Sequence, residues 1–244
     1  MLVPYYEDDS TTLYHGSCDD VLPNLTGVDL VFTSPPYNLG TCNGGKSGLH
    51  AGSLAAKDLA GGYGTHHDAM PHEVYARWQT EVVAACWNTL TDDGAIFYNH
   101  KPRVQAGRLL LPLAYGGDLP LRQIITWDRG TGLNFSESFF LPKSEWIVVW
   151  AKDGWRLASR RACEVGDVWR IRPEQDTMHP APFPLALPMT AIGSTNARVV
   201  LDPFAGSGTT LRAAKDLGRK AIGIELEERF CEIAAKRLAQ EVLF

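Results

Sequence analysis

Short apolar runs alternate with helix-like patterns along most of this 244-residue chain. Apolar runs of this kind, ended by Gly, Pro or polar residues, favour buried strands. Strands that alternate with helices indicate an α/β fold, here with a mixed, mostly parallel sheet flanked by helices. We predict strands near residues 28–32, 94–99, 121–128, 146–151, 198–202 and 221–225.

Amphipathic helices are predicted in three places. Residues 72–90 carry an apolar side chain at every fourth position, residues 211–217 follow a Gly-rich turn, and a last helix lies near the end of the chain. We expect these helices to pack on the sheet, with Trp78 and Trp87 in the core rather than serving as platforms for a ligand. The stripes consist of Val74, Trp78, Val82, Cys86 and Leu90 in the first helix and of Phe230, Ile233 and Leu238 in the last.

A polar tetrapeptide, Ser34-Pro35-Pro36-Tyr37, follows the first predicted strand. The prolines fix φ and lack N–H groups, so the backbone carbonyls are held in one direction as acceptors. Ser34 adds a hydroxyl acceptor, and Tyr37 offers a ring on which a base can stack for roughly 1–3 kcal/mol. This combination suits a planar heterocycle with an exocyclic amino group. Taken alone, the tetrapeptide is equally compatible with an ordinary turn.

A second motif follows the strand near residues 198–202. It is a Gly-x-Gly turn, Gly206 and Gly208, that opens a helix, and such a turn lets the backbone approach a ligand closely. Glu225 ends the next strand, about 20 residues beyond Asp202, where α/β nucleotide sites place an acid for ribose hydroxyls. A dinucleotide-binding fingerprint requires a third small residue, and Leu211 occupies that position.

The tetrapeptide and the nine-residue string from Asp202 to Thr210 together resemble motifs of the S-adenosylmethionine-dependent DNA amino-methyltransferases, which methylate adenine N6 or cytosine N4. The tetrapeptide precedes the string, and this order resembles the β group of these enzymes. The resemblance implies a Rossmann-like methyltransferase fold with a seven-stranded sheet and permuted motif order, in one catalytic domain over residues 1–244. Further segments in matching order are 13–22, 94–99, 124–127, 145–150 and 179–184.

The resemblance implies roles for individual residues. The catalytic residues would be Ser34, Pro35, Pro36 and Tyr37. S-adenosylmethionine would be bound by Ser17, Cys18, Asp19, Asp202, Phe204, Ala205, Gly206, Ser207, Gly208, Thr209, Glu225 and Leu226.

The chain departs from the family pattern at two positions. Ser17 stands where many members have Asp, so the contact with the cofactor's adenine could fall to Ser17 or Asp19. Phe183 replaces a lysine in the segment 179–184, which bears on the target base. The pairing of Ser-Pro-Pro-Tyr with this segment favours cytosine N4 over adenine N6. A duplex target would have to be flipped out to reach Ser34. The chain contains no Pro-Cys dipeptide, so carbon-5 methylation through a cysteine nucleophile is not indicated.

Bulk composition is typical of a globular enzyme, with 45% hydrophobic and 21% charged residues. We find no apolar leader and no run long enough to span a membrane, and we expect a cytoplasmic location. The five cysteines are scattered without a Cys-x-x-Cys pair, so we expect reduced thiols and no metal site. A homodimer and a cognate restriction endonuclease stay open as further partners.

The net charge of −5 requires that a DNA-binding surface be locally basic. Residues 152–178 are rich in arginine and lie where the family holds its target-recognition region, so we interpret them as a small recognition insert. The alternative is an ordinary solvated face with Trp155 and Trp169 in the core. The predicted DNA-binding residues are Lys101, Arg103, Arg156, Arg160, Arg161, Arg170 and Arg172.

Residues 40–70 form a glycine-rich stretch without periodicity, which we interpret as a loop that closes over DNA or is disordered without ligand. Its residues 40–47 match the P-loop pattern, but the tetrapeptide separates them from the strand, and later glycines disfavour the required helix. His50, His66 and His67 lack metal-ligand spacing.

An RNA amino-methyltransferase and a non-catalytic nucleic-acid-binding module remain the alternative functions of this chain.

Overall fold

A computed structural model describes residues 2–38, 70–105, 107–132, 135–173 and 183–240. The strands are β1 (Tyr6–Glu7), β2 (Thr11–His15), β3 (Val28–Thr33), β4 (Leu90–His100), β5 (Arg103–Gln105), β6 (Arg108–Leu110), β7 (Leu121–Asp128), β8 (Ser144–Ala151), β9 (Val168–Arg170), β10 (Val199–Asp202) and β11 (Lys220–Glu225). The helices are α1 (Cys18–Val21), α2 (His72–Thr89), α3 (Ala186–Gly193), α4 (Thr209–Asp216) and α5 (Glu228–Leu238). All six predicted strands are confirmed.

One mixed sheet has the strand order β1-β2-β11-β10-β3-β4-β8-β7-β9, and β5 and β6 form a separate hairpin. The expected seven strands form its centre, and the short edge strands β1 and β9 extend it to nine. Among the nine strands that the described residues contribute to this sheet, only β1 and β8 run antiparallel to the strands with which they pair. The other strands therefore finish at one end of the sheet, here called the carboxyl edge, where β8 begins.

Alternate residues of the central strands pack on opposite faces, as the period of two requires. In β3, Leu30 and Phe32 join the core formed with α3, α4 and α5, while Val31 joins the core formed with α1 and α2. Both faces of β4 and β8 are covered in the same way. This explains why these strands read as continuous apolar runs.

Helix α2 has the predicted bounds, but the predicted stripe is rotated. Val74 is exposed, and Tyr75, Gln79, Val82, Val83 and Cys86 are the buried residues. Gln79 is buried because its side chain accepts a hydrogen bond from the Tyr98 hydroxyl of β4. A polar residue thus completes the core face, which a search for apolar residues alone does not find. No helix in the described part of the chain is long and apolar enough to cross a membrane.

Candidate active site

The carboxyl edge of the sheet holds a cavity of about 450 Å³, a volume typical of small-molecule sites. The tetrapeptide after β3 forms part of one wall, and the loop between β10 and α4 forms another. Ligands of open α/β sheets bind at this edge. The two motifs that are far apart in the chain therefore open into a single cavity.

Asp202 shapes the loop after β10 from beneath. Its carboxylate is fully buried and accepts hydrogen bonds from Thr33 Oγ1 at 2.7 Å, Thr210 Oγ1 at 2.6 Å and the Phe204 amide at 3.1 Å. Burial raises its pKa to about 6, although these three donors act in the opposite direction. The predicted cofactor residues Asp202 and Gly208 do not line the cavity: Asp202 lies beneath the loop, and Gly208 ends the loop against Ala234 of α5.

Gly206 and Gly208 adopt φ values of 52° and 80°, which side chains other than glycine rarely take. The Gly206 amide donates to Glu225 Oε2 at 2.8 Å, and the Glu227 amide donates to Oε1 at 2.8 Å. These bonds hold the Glu225 carboxylate at the cavity wall, and burial raises its pKa. Each of its oxygens has a second lone pair, which fits the two hydroxyls of a ribose.

The turn between β2 and α1 closes the cavity beside Glu225. Ser17 caps α1 by accepting the Asp19 amide at 3.2 Å, and the Gly16 amide binds the Glu225 carbonyl at 2.9 Å. Burial raises the pKa of the Cys18 thiol to about 12, so it acts as a small apolar wall residue. The cavity wall includes the predicted cofactor residues Ser17, Cys18, Asp19, Phe204, Ala205, Gly206, Ser207, Thr209, Glu225 and Leu226.

Trp78 and Trp87 of α2 are half-buried and pack against the core, as expected. Trp78 also lines the cavity, and its ring packs edge-on against Phe204, with centroids 5.7 Å apart. Its place on the cavity wall was not expected. Helical spacing places Trp78 on the sheet-facing side, but only the position of the helix relative to the carboxyl edge shows that this side meets a cavity.

The tetrapeptide is held rigidly by its backbone carbonyls. Tyr75 Oη donates to the Pro36 carbonyl at 2.8 Å, and Arg103 Nη1 donates to the carbonyls of Tyr37 and Asn38 at 2.6 Å. Asn38 has a φ of 54° and exchanges two hydrogen bonds with the backbone of Met70. The backbone of the tetrapeptide is thus fixed independently of any ligand.

The side chains of the tetrapeptide join a buried polar network. Tyr37 Oη donates to Glu145 Oε2 at 2.9 Å and lies 3.0 Å from Ser34 Oγ. Asn99 Nδ2 donates to Ser34 Oγ at 3.2 Å, to Tyr37 Oη at 2.9 Å and to Glu145 Oε2 at 3.1 Å. The Tyr37 ring packs against the buried imidazole of His100, with centroids 4.6 Å apart.

A cation closes this network on the side of β7. Arg129 Nη1 pairs with Glu145 Oε1 at 2.7 Å, and the Arg129 guanidinium lies 5.5 Å from the centre of the Trp127 ring. Trp127 is itself held by a bond from Nε1 to the Ile171 carbonyl at 2.7 Å. Glu145 is only 5% exposed, so its interaction with Arg129 is weakly screened by solvent.

No motif in the sequence marks Asn99, Arg129 or Glu145 as functional residues. Asn99 is near the end of a predicted strand, and Glu145 is near the start of the neighbouring antiparallel one. The rule that ligands bind at the carboxyl edge would have selected them, but it requires the strand order and the direction of β8. Neither follows from a strand's own residues.

The predicted DNA-binding residues fall into two groups. Lys101 follows β4 and lines the cavity, and burial lowers its pKa. Arg170 and Arg172 are exposed and lie where β9 reaches the carboxyl edge. These three residues lie near the cavity, and contact with DNA stays a prediction for them.

The other basic residues are not brought to the cavity. Arg156 follows the opposite end of β8, where Leu157 bridges Thr195. Arg160 and Arg161 are on the segment that returns from there to β9. Arg103 binds the tetrapeptide carbonyls. Trp155 packs against the core and Trp169 is buried, as the alternative interpretation of this region expected. The predicted DNA contacts of these arginines stay untested.

Parts of three predicted segments lie outside the described residues. They are 174–178 of the insert 152–178, 179–182 of the segment 179–184, and 40–69 of the glycine-rich stretch 40–70, which include the P-loop-like string and the three histidines. Phe183 is described, lines the cavity and packs edge-on against Phe32 with centroids 5.7 Å apart.

Comparison with known proteins agrees with this geometry. A family model described as DNA methylase matches residues 28–236. The type II methyltransferase M.BglII from Bacillus subtilis is 28% identical over 273 residues, covering 94% of this chain and 69% of that protein. A structure described as a DNA modification methylase from Thermus thermophilus, complexed with S-adenosyl-L-methionine, is 26% identical with a TM-score of 0.64 over 96% of each chain. The cytosine-N4-specific PvuII DNA methyltransferase has a TM-score of 0.74 at 17% identity, over 99% of this chain and 90% of that one, so this likeness concerns the fold alone.

Proposed function

This chain belongs to the S-adenosylmethionine-dependent DNA amino-methyltransferases, and from that premise we propose that it methylates the N4 amino group of cytosine in DNA. The observation that carries this proposal is that Ser34, Tyr37 and Glu225 line one cavity. The amino group of the target base at Ser34 and the nucleoside part of the cofactor at Glu225 would then lie in the same cavity. Methylation of adenine N6 is the alternative for the base.

The wall around Glu225 fits the cofactor. Glu225 would bind the ribose hydroxyls, the Phe204–Ser207 backbone would lie along the amino-acid part, and Ser17 and Asp19 would lie near the adenine. When bound, S-adenosylmethionine supplies a methyl group from a positively charged sulfur, and this methyl group replaces one proton of the target amino group.

The wall around Ser34 would position the base. Tyr37 would stack on a flipped base with the ring face away from His100, and Ser34 Oγ and the Pro35 carbonyl would accept the two amino protons. The nitrogen lone pair would then be free for methylation, and the residues around Glu225 would hold the cofactor that supplies the methyl group. Most of the acceleration would then come from orientation and fixed electrostatics.

Two observations support cytosine as the target. Ser-Pro-Pro-Tyr together with Phe183 favours N4 by resemblance. In addition, Lys101 and Arg129 place hydrogen-bond donors on the same wall as Ser34. Cytosine has two acceptors, N3 and O2, beside its amino group along the pairing edge, whereas adenine has one. Two cationic donors suit the cytosine edge better.

The proposal extends to how the chain is organised. Residues 1–244 would form one catalytic domain, and residues 152–178 would take part in target recognition through Arg170 and Arg172, which lie beside the cavity. Both arginines are exposed, as phosphate contacts require.

Incubation with methyl-labelled S-adenosylmethionine and unmethylated genomic DNA, followed by digestion to nucleosides and mass spectrometry, tests the function. We expect labelled N4-methylcytosine. Labelled N6-methyladenine would confirm the reaction and overturn the base. Label in RNA but not in DNA, from a parallel incubation, would overturn the substrate.

A further inference from the structure

We propose that Glu145 is a positioning residue that acts through Tyr37 to turn the lone pairs of Ser34 Oγ toward the target amino group. This inference rests on the proposed methylation of a base amino group at Ser34. Glu145 need not touch the base itself. It lies two hydrogen bonds away, at the far end of the chain Ser34–Tyr37–Glu145.

The direction of each hydrogen bond follows from the number of protons. A carboxylate paired with Arg129 accepts hydrogen bonds and cannot donate them. Tyr37 has one hydroxyl proton and must give it to Glu145 Oε2, 2.9 Å away. The 3.0 Å contact between Tyr37 and Ser34 is then possible only if Ser34 donates.

Ser34 is thereby left with lone pairs but no proton for the base. Asn99 Nδ2 has two protons for three oxygen atoms, of which Ser34 Oγ at 3.2 Å is the most distant, so Ser34 keeps at least one lone pair that can accept a hydrogen bond from the amino group. The Asn99 amide supports this arrangement. Its nitrogen faces three oxygen atoms, and a rotated amide would place its carbonyl oxygen against the Glu145 carboxylate.

Burial strengthens the hydrogen bonds that orient the Ser34 hydroxyl. Glu145 is 5% exposed and Asn99 is 1% exposed, so the hydrogen bonds polarise one another with little competition from water. Ser34 is neutral, and the Glu145 carboxylate of β8 supplies a negative charge to the network through Tyr37.

A double-mutant cycle of Glu145→Gln and Tyr37→Phe tests this role. Both variants keep the size of the side chain, and Tyr37→Phe keeps the ring and leaves the Glu145–Arg129 pair intact. The measurement is the rate of methyl transfer in a single turnover on unmethylated genomic DNA, with enzyme and labelled cofactor in excess. We expect each substitution to slow transfer by about 100-fold, and the double variant to be no slower than either single one.

Two further measurements separate positioning from a structural role. The affinity for S-adenosylhomocysteine should change little in both variants. Glu145→Gln should lower the thermal midpoint of unfolding, because Arg129 loses its buried partner, so the transfer rate is measured well below the midpoint of every variant. Glu7→Gln, which removes an exposed carboxylate on β1, is the matched control and should transfer methyl groups at the normal rate.

The proposal is overturned if Glu145→Gln transfers at the normal rate, if the rate losses of the two substitutions multiply in the double variant, or if Glu145→Gln loses affinity for S-adenosylhomocysteine by the same factor as it loses rate. In each of these cases the unmodified protein still methylates DNA and the proposed function stands. Absence of transfer by the unmodified protein overturns the proposed function, and this inference with it.

Discussion

Buried polar side chains at the carboxyl edge depend on partners from distant parts of the chain. Asp202 accepts a hydrogen bond from Thr33, 169 positions away, and Glu145 accepts one from Tyr37, 108 positions away. A buried group that loses such a partner costs about 1–3 kcal/mol. Single substitutions therefore test individual contacts of the site.

Replacing Tyr37 by alanine removes both the stacking ring and the hydroxyl that links Ser34 to Glu145. We expect methyl transfer to be lost while the affinity for S-adenosylhomocysteine stays within about threefold, because the residues around Glu225 are untouched. Calorimetric titration and a transfer assay on the same preparation make the comparison. Equal loss of affinity and turnover would contradict the assignment of Tyr37 to the base.

His100 supports Tyr37 and is predicted to make stability depend on pH. Burial lowers its pKa from 6.5 to about 3. Between these values the unfolded chain binds more protons than the folded one, so the contribution of His100 to stability is lost as pH falls, by up to about 1.4 kcal/mol per pH unit.

Urea unfolding of the unmodified protein and of His100→Gln, between about pH 7 and pH 5, measures this effect. The unmodified protein should lose stability relative to His100→Gln as pH falls, because glutamine does not titrate. Parallel curves of stability against pH for the two proteins would rule out the predicted contribution of His100.

At the scale of elements, the turn at Pro112–Gly116 is packed closely between α2 and β8. A Cβ added at Gly116 would overlap the indole of Trp150, which is fully buried in β8 and cannot move aside cheaply. This turn therefore fixes the distance between a helix and the sheet. It does so with a residue that leaves no hydrophobic signal in the sequence.

Gly116→Ala should lower the free energy of unfolding by about 1–3 kcal/mol, the usual cost of overpacking a core. Gly193→Ala at the end of α3 is the matched control. An added Cβ there meets no atom within 4 Å, so the change should be neutral or stabilising by about 0.5–1 kcal/mol. Urea denaturation of both variants makes the measurement. Similar changes in the free energy of unfolding of both variants would show that a side chain at position 116 does not clash with Trp150.

For the whole molecule, the net charge of −5 opposes DNA binding. The distribution of positive charge therefore decides which part of the surface can bind DNA. Lys101, Arg170 and Arg172 lie at the carboxyl edge. Arg198 and Lys220 are exposed at the start of β10 and β11, at the opposite end of the sheet. The two ends can therefore be compared by removing the same number of positive charges from each.

The variant Arg170→Ala with Arg172→Ala should bind DNA more weakly and with a weaker dependence on salt. Each lost phosphate contact should reduce the slope of log affinity against log salt by about 0.9. Arg198→Ala with Lys220→Ala should bind as the unmodified protein does. Fluorescence anisotropy over a range of salt concentrations distinguishes them, and equal losses would mean that only net charge matters.

Much of the fold and about half of the site follow from local sequence. The six strands, the bounds of α2 and the two motifs depend on neighbouring residues, which set strand period, helix spacing and turn chemistry. The burial of Gln79, the exposure of Val74 and the place of Trp78 on a cavity wall were not predicted, because each depends on which element lies opposite.

By itself the sequence determined the α/β class, the family and the position of Ser34–Tyr37 and Gly206–Gly208 after strands, because each is encoded in contiguous residues. Only the tertiary structure decided that Asn99, Arg129 and Glu145 meet Ser34 and Tyr37, and that Arg156 does not. The reason is that strand order and the reversal of β8 set those distances. No run of adjacent residues records the order in which strands pair.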